Sequence, residues 1–551
     1  MEESRRINLW DKIIKFFYVL MGVTFLPVLF CVFFLDKRIK YHDDWRPVTI
    51  RPNSMLFVIA LLGALVLCML IRLIKEIEIT KKINIITDVI LASLFVILYF
   101  VNVWIAREIS FKLPWDVMMV NTHASYLAEG NTLGYNVYFS IYTNNIPITY
   151  FLKKMFVKVM EMADYPYVND FIWIQVNCAL ISLGGFFSCL TVKKLMRKLM
   201  PTAVCFLLYV AVFGLSPWKM APYTDTYSMA FTIICIYFYF CYRKTRRELS
   251  KYLFMALSLF AAVAGGLIKP SVYILIIAIL VVECIRLLRE YKQNWKYVLF
   301  EIVLIVVLFW AKGIYRDHMM EDLGLDFNEE IEASWQHYFR MGQNEETSGA
   351  YNPGDAGLFG EFQESKKERN EAALERALAR VKEKGFVGNI YFWLGKMTMV
   401  FNEGTFGWAN EVDIWGTYPA SLARNDRVTE ILRQIFWPEM RYTGAYNTVC
   451  QLIWIFCLIG ISGFCFLTEE KRENCVVMAV GFLGLFFYQM LFEARARYLI
   501  AFLPVLTVIS ICGFWQYAEW AGKLIENKKA EVKPWAALLQ KIRQLRKKTV
   551  E

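Results

Sequence analysis

Residues 55–71 read MLFVIALLGALVLCMLI, seventeen side chains without a charge, and this stretch decides the fold class. At 1.5 Å of rise per residue, a helix of that length covers about 25 Å, close to the ~30 Å of a bilayer's hydrocarbon core. In lipid the backbone must satisfy its own polar groups, which a helix does within one segment. Working outward, similar runs recur. Spans are expected near 16–35, 55–71, 83–105, 169–191, 202–217, 226–242, 252–268, 271–288, 297–313, 449–467, 475–492 and 498–517. The fold expected is an all-α membrane protein with a bundle of about twelve transmembrane helices. Composition agrees, with 57% hydrophobic and 20% charged residues, where a soluble domain carries about a quarter charged. The pair Lys269-Pro270 breaks the apolar stretch from 252 to 288, because proline cannot continue a helix.

The net charge of +11 is placed in a pattern. Basic clusters fall in alternate loops: Arg72/Lys75/Lys81/Lys82, Lys193/Lys194/Arg197/Lys198, Arg243 to Arg247, Arg286/Arg289/Lys292/Lys296 and Lys471-Arg472. A basic tail, Lys541 to Lys548, follows the last span. This is the positive-inside arrangement, with both termini cytoplasmic and an attraction to anionic headgroups rather than to nucleic acid. One loop stands against it. Residues 36–53 should be outside, yet carry Lys37, Arg38, Lys40, Arg46 and Arg51, offset in part by Asp36, Asp43 and Asp44. The thirteen cysteines lie in or beside apolar runs and none falls between Ile285 and Thr448, so no outer disulfide is expected. The domain plan is an N-terminal two-helix addition (1–82) and a core (83–313) holding a first outer loop (106–168). A large extracytoplasmic loop (314–448), the C-terminal helices (449–517) and the tail (518–551) follow.

In that large loop, Glu361 to Lys384 reads as a charged helix with Arg340, Arg369, Arg376 and Arg380 on solvated faces, and Tyr391 to Phe401 as an interfacial helix. A second interfacial helix is expected to end near Lys153-Lys154. Asp88, Glu283 and Glu301 sit toward cytoplasmic helix ends, within reach of the interface.

The expensive charges gather at the outer ends of the spans. Asp116 follows the third span, Asp225 opens the sixth, and Lys269 separates two apolar runs. Glu493, Arg495 and Arg497 precede the last span. Carboxylates can take a proton from a hydroxyl, and arginine and lysine can clamp a phosphate. Each position also has a plain structural use. Asp116 and Asp225 can cap helices, and Lys269 can snorkel to the interface. The four histidines show no metal-binding spacing, so neither a metal nor another cofactor is implied.

Asp116 at the start of a long loop, Tyr142-Thr143-Asn144-Asn145, Tyr223-Thr224-Asp225, Lys269-Pro270, Gly404-Thr405-Phe406 and Glu493-Ala494-Arg495-Ala496-Arg497-Tyr498 occur in that order. In this the chain resembles the GT-C class of bacterial membrane glycosyltransferases, broadly the protein O-mannosyltransferases and the aminoarabinose transferases. It is most similar to integral membrane members of that class in Gram-positive bacteria. The resemblance extends from about residue 83 to 517 and departs in lacking an acidic neighbour beside Asp116, which Val117 follows. It implies transfer of a sugar from a polyprenyl-phosphate donor to an extracytoplasmic acceptor: a cell-wall polymer, a glycolipid or a protein. Asp116 would be the base and Asp225 would orient a sugar. Lys269, Arg495 and Arg497 would hold the donor phosphate, with Tyr142, Asn144, Asn145 and Glu493 binding substrate. Two other readings stay open, a lipid-linked glycan flippase or transporter and a glycan polymerase or ligase. The first would want polar groups lining the bundle interior and the second paired arginines in two large loops.

Overall fold

The 55–71 run folds as the helix Asn53–Leu73, and its packing follows from spacing alone. Leu56, Ala60, Ala64, Cys68 and Ile71, three or four residues apart, form one buried stripe against Thr443–Phe464. Leu61, Leu62 and Leu65 on the opposite side stay exposed, a face that only lipid covers well. The computed structural model describes residues 2–41, 44–74, 76–163, 171–357, 365–412, 414, 416–417 and 426–523. The basic tail and residues 361–364 of the expected charged helix lie outside the described residues.

Among the described residues, ten helices are long and apolar enough to cross a membrane. Two of the twelve expected spans are helices without meeting both conditions. Leu199–Gly214 is short and closes in a π turn at Val210–Gly214. Thr224–Lys244 has 21 residues but is rich in tyrosine and threonine, since most of its side chains face protein rather than lipid. There the polar groups find partners: Thr232 donates to the Ala501 carbonyl (2.7 Å) and Tyr227 to that of Trp173 (2.8 Å). The expected break at Lys269-Pro270 is present, with Glu248–Ile268 ending there. Ile274–Asp322 runs on through a non-helical residue at Glu290.

The first two helices belong to the same hydrophobic core as the last ones. Glu2–Phe34 packs on Glu469–Leu491 and on Lys366–Phe401. Lys37 forms a buried ion pair with Glu403 and donates to the Met399 carbonyl (3.2 Å), so this cation of the discordant loop is consumed inside the protein. Asn53 and Gln451 both donate to Asn402 Oδ1, at 2.7 and 3.0 Å.

Three expectations need correction. Glu283 does not reach the interface; it is buried and accepts from Tyr239 (2.7 Å), Tyr242 (3.0 Å) and Arg243 (3.3 Å). Glu301 is buried as well. Of the large-loop arginines, Arg376 is exposed as expected, but Arg340, Arg369 and Arg380 are not on a solvated face. Arg340 and Arg380 clamp the buried Asp355, and Arg369 is buried and donates to the Glu332 carbonyl (3.0 Å). Glu283 and these arginines are held by partners distant in sequence, which the local pattern does not show. The charged and apolar halves of the large-loop helix, Lys366–Phe401, meet at Gly385, whose φ of +60° breaks the helical path. The stretch ending near Lys153-Lys154 is the helix Ile146–Ala163, packed on Trp115–Ala128.

Candidate functional site

Several chain segments distant in sequence converge at one end of the bundle on a cavity of about 690 Å³. The first arrives where Lys81–Ile109 stops at Ser110 in a left-handed conformation (φ +38°) and Phe111–Lys112 pairs with Gly416–Thr417. Trp115 then opens the helix Trp115–Ala128 at φ +56°, an unfavourable conformation for a bulky side chain, directly before Asp116. Such strain persists only where surrounding contacts fix it. Here the Trp115 indole is fixed between the Arg497 guanidinium (4.7 Å) and the edge of Tyr223 (5.7 Å).

Asp116 lines the cavity. Tyr138 donates to its Oδ1 at 2.8 Å, and Tyr223 lies 3.2 Å from its Oδ2 and 2.9 Å from Asn145 Oδ1. With one proton, Tyr223 donates to one of these at a time. Asn145 in turn donates to Tyr138 at 2.7 Å. Burial first, and the Asp116 charge second, push both phenols up, so each remains a protonated donor near neutral pH. Burial, with Tyr351, Asp116 and Glu493 adding, pushes Tyr142 up to about 12. A carboxylate has about four acceptor positions, so two phenols orient Asp116 without exhausting it.

Asp225 is not the helix cap; the backbone N–H of Tyr223 donates to Thr226 Oγ1 (3.3 Å) instead. The Asp225 carboxylate, 2% exposed, lies 2.7 Å from Lys269 and 3.9 Å from Arg497. Lys269 sits over the Tyr498 ring (4.3 Å). Arg495 donates to Glu493 (2.9 Å) and to Glu411 (3.1 Å), and Arg497 lies 3.3 Å from the same Glu411 oxygen. Tyr142, Asn144, Asn145 and Glu493 line the same cavity. All nine candidate site residues are thus at this cavity or in an ion pair with its wall.

Sequence reading missed Glu411. It stands on the short helix Trp408–Glu411, four residues beyond Gly407 (φ +91°), just past the Gly404-Thr405-Phe406 motif. Gly404 packs so closely on Cys450 that a β-carbon would fall 2.3 Å from its carbonyl oxygen, which fixes where this segment leaves the bundle. The signal for Glu411 was its nearness to that motif; nothing local distinguishes it from a solvated acid. Tyr138 and Tyr338 were equally silent, because an aromatic near a span end normally reads as an interface anchor, and Tyr223 stood out only as part of the Tyr223-Thr224-Asp225 motif.

The large loop is tied to the same site. The Glu493 N–H donates to the Tyr338 carbonyl (3.1 Å) and the Ala494 N–H to that of Gly349 (2.8 Å). Lys396 donates to the carbonyls of Gly342 (2.7 Å), Met490 (3.0 Å) and Phe492 (2.7 Å). Burial pushes Lys396 down to about 7, yet only the ammonium has three protons for three carbonyls.

A bundle with ten apolar helices of membrane-crossing length among the described residues and a charged cavity at one end defines a multi-pass integral membrane protein. The chain belongs to the family described as conserved hypothetical integral membrane protein, whose family model matches residues 7–516. No curated protein and no solved structure matches it.

Proposed function

We propose that the protein is a GT-C-like glycosyltransferase that moves a sugar from a polyprenyl-phosphate donor to a hydroxyl acceptor at the extracytoplasmic surface. The observation that carries this reading is the meeting of Asp116, Asp225, Lys269, Arg495 and Arg497 around one cavity, from four distant parts of the sequence. Asp116 takes the proton of the acceptor hydroxyl while its oxygen attacks the anomeric carbon. The bond from that carbon to the phosphate oxygen breaks with its electron pair, and the configuration inverts. Lys269, Arg495 and Arg497 stabilise the charge that grows on the leaving phosphate.

Charge balance refines this. Four carboxylates (Asp116, Asp225, Glu411 and Glu493) surround three cations, so an anionic donor cannot simply be added. Glu411 is the carboxylate that yields its place. One of its oxygens is shared by both arginines, as a phosphate oxygen would be, and it stands on a short helix at the cavity edge. The sidedness follows from the basic loops. Asp225 starts and Lys244 ends the helix Thr224–Lys244, which puts the cavity about 30 Å from the basic cluster at Lys193, Lys194 and Lys244. With the basic end cytoplasmic, the cavity opens outside.

The test is a lipid and glycan profile of cells carrying either the wild type or Asp116→Asn. A sugar-phosphate lipid should accumulate in the variant and one envelope decoration should be lost. Identical profiles at equal protein level would remove the transferase reading.

A further inference from the structure

The basic end of the bundle holds a second, larger cavity of about 1060 Å³, between the starts of Lys81–Ile109 and the ends of Ile172–Met196 and Thr224–Lys244. Its lining carries Lys81, Lys193, Lys194, Arg197, Lys198 and Lys244 against Glu78 and Asp88, six cations to two acids. The excess is not removed by local pairing. Lys193 is paired with Asp88 and Lys198 with Glu76, while Lys244 donates to the carbonyl of Lys194 at a helix end. Lys81, Lys194 and Arg197 face no carboxylate in an ion pair among the described residues.

The plain alternative is that these cations only mark the cytoplasmic side and favour helix C-termini. Two features go beyond it. Arg197 holds a left-handed conformation (φ +55°) after Ile172–Met196, where glycine or asparagine fits at less cost, so its cationic side chain is retained against the local preference. The wall beneath the cations is apolar, with Phe186, Leu190 and Ile85, and Ile85 is 65% exposed on the face of a membrane-spanning helix. A cavity that combines an excess of cations with an apolar wall, part of it exposed on a membrane-spanning helix, matches a phosphate joined to acyl chains.

We infer that this cavity binds the phosphate of an anionic phospholipid headgroup, with Lys81, Lys194 and Arg197 as its unpaired cations and the Ile85 face taking the acyl chain. The inference stands apart from the proposed transferase activity, since it uses none of the residues of the first cavity.

The experiment uses the full chain purified in a neutral detergent and followed by native mass spectrometry and thermal unfolding. Titrants are phosphatidylglycerol, phosphatidylcholine and sodium phosphate at matched ionic strength. Phosphatidylglycerol is expected to bind at least about tenfold more tightly than phosphatidylcholine. In Lys81→Gln/Lys194→Gln/Arg197→Asn that preference should vanish with the unliganded unfolding temperature unchanged, asparagine being suited to the left-handed position. If that variant unfolds early, Lys81→Gln/Lys194→Gln alone should still lose most of the preference. Equal binding of the two lipids, or a preference that survives both variants, overturns the inference. Variant-sensitive stabilisation by sodium phosphate without a lipid preference also overturns the lipid as the source, leaving an aqueous phosphate site.

Discussion

Asp355 in the large loop and Asp225 at the cavity are both buried carboxylates held by two cations, and they differ in how completely they are satisfied. Asp355 accepts from Arg340 (2.8 Å), from both terminal nitrogens of Arg380 (2.9 and 3.0 Å) and from Asn344 (2.8 Å). Burial opposes its ionisation, but Arg380, Asn344 and Arg340 outweigh it and hold the carboxyl below its usual range. Asp225 touches Lys269 and Arg497 only as ion pairs, and neither of its oxygens accepts a well-aligned hydrogen bond. A buried polar group left unmade costs about 1–3 kcal/mol. A saturated carboxylate is a brace. An unsaturated one beside a cavity of about 690 Å³ retains capacity for a ligand.

The sharpest way to break this distinction is at Asp116, another of the cavity carboxylates. Asp116→Asn should lower sugar transfer by about 10²–10⁴-fold, the range that a general base contributes, with the unfolding temperature unchanged. Transfer at the wild-type rate would take Asp116 out of the chemistry. The next largest effect is on the brace. Asp355→Asn removes the shared partner of two arginines and should destabilise the protein by about 3 kcal/mol, read as a lower thermal midpoint. Asp225→Asn should lower that midpoint by less than Asp355→Asn does, because it loses ion pairs but no well-aligned hydrogen bond. Equal losses in the two variants would mean that both carboxylates are braces.

The sequence disclosed the membrane bundle because hydrocarbon imposes one rule on every span, and MLFVIALLGALVLCMLI obeys it without help from distant residues. It disclosed Asp116, Asp225, Lys269, Arg495 and Arg497 for a related reason: a charge beside an apolar run is costly and stands out. Glu411 and the Asp355 clamp lie in a polar loop, where charges are ordinary. Only the fold brings Glu411 to Arg495, 84 positions away, and turns Arg380 toward Asp355. Thr224–Lys244 shows the same limit from the other side. A helix surrounded by protein escapes the hydrocarbon rule, so its tyrosines blur its reading as a span.

A smaller effect tests the exchange assigned to Glu411. Glu411→Gln keeps the shape but removes the charge that Arg495 and Arg497 share, so a polyprenyl-phosphate lipid should bind roughly tenfold more tightly. Were Glu411 a brace like Asp355, the same variant would bind the lipid more weakly and unfold at lower temperature. Titration by native mass spectrometry with an unsaturated polyprenyl phosphate separates the two outcomes.

An effect of similar size lies on the brace side, at His337. It sits in Trp335–Gly342, 3% exposed and edge-on to Tyr338, and burial pushes it down to about 4, with Arg340 and Arg369 adding to burial and Glu493 and Asp355 opposing it. A histidine lowered on folding takes up its proton more readily when unfolded. The unfolded chain therefore binds more protons between pH 4 and about 6.5, and stability falls as pH drops through that window. By pH 5.5 this amounts to about 1.4 kcal/mol relative to pH 8, and His337→Gln should flatten that part of the profile. Because the Trp335–Gly342 helix is joined through Tyr338 to Glu493, acid should loosen the large loop before it disturbs the spans. Amide exchange at pH 5.5 and 8 would register this as lost protection in 335–349 with 449–464 unchanged. Equal loss in both segments would show that the loop and the bundle unfold as one unit.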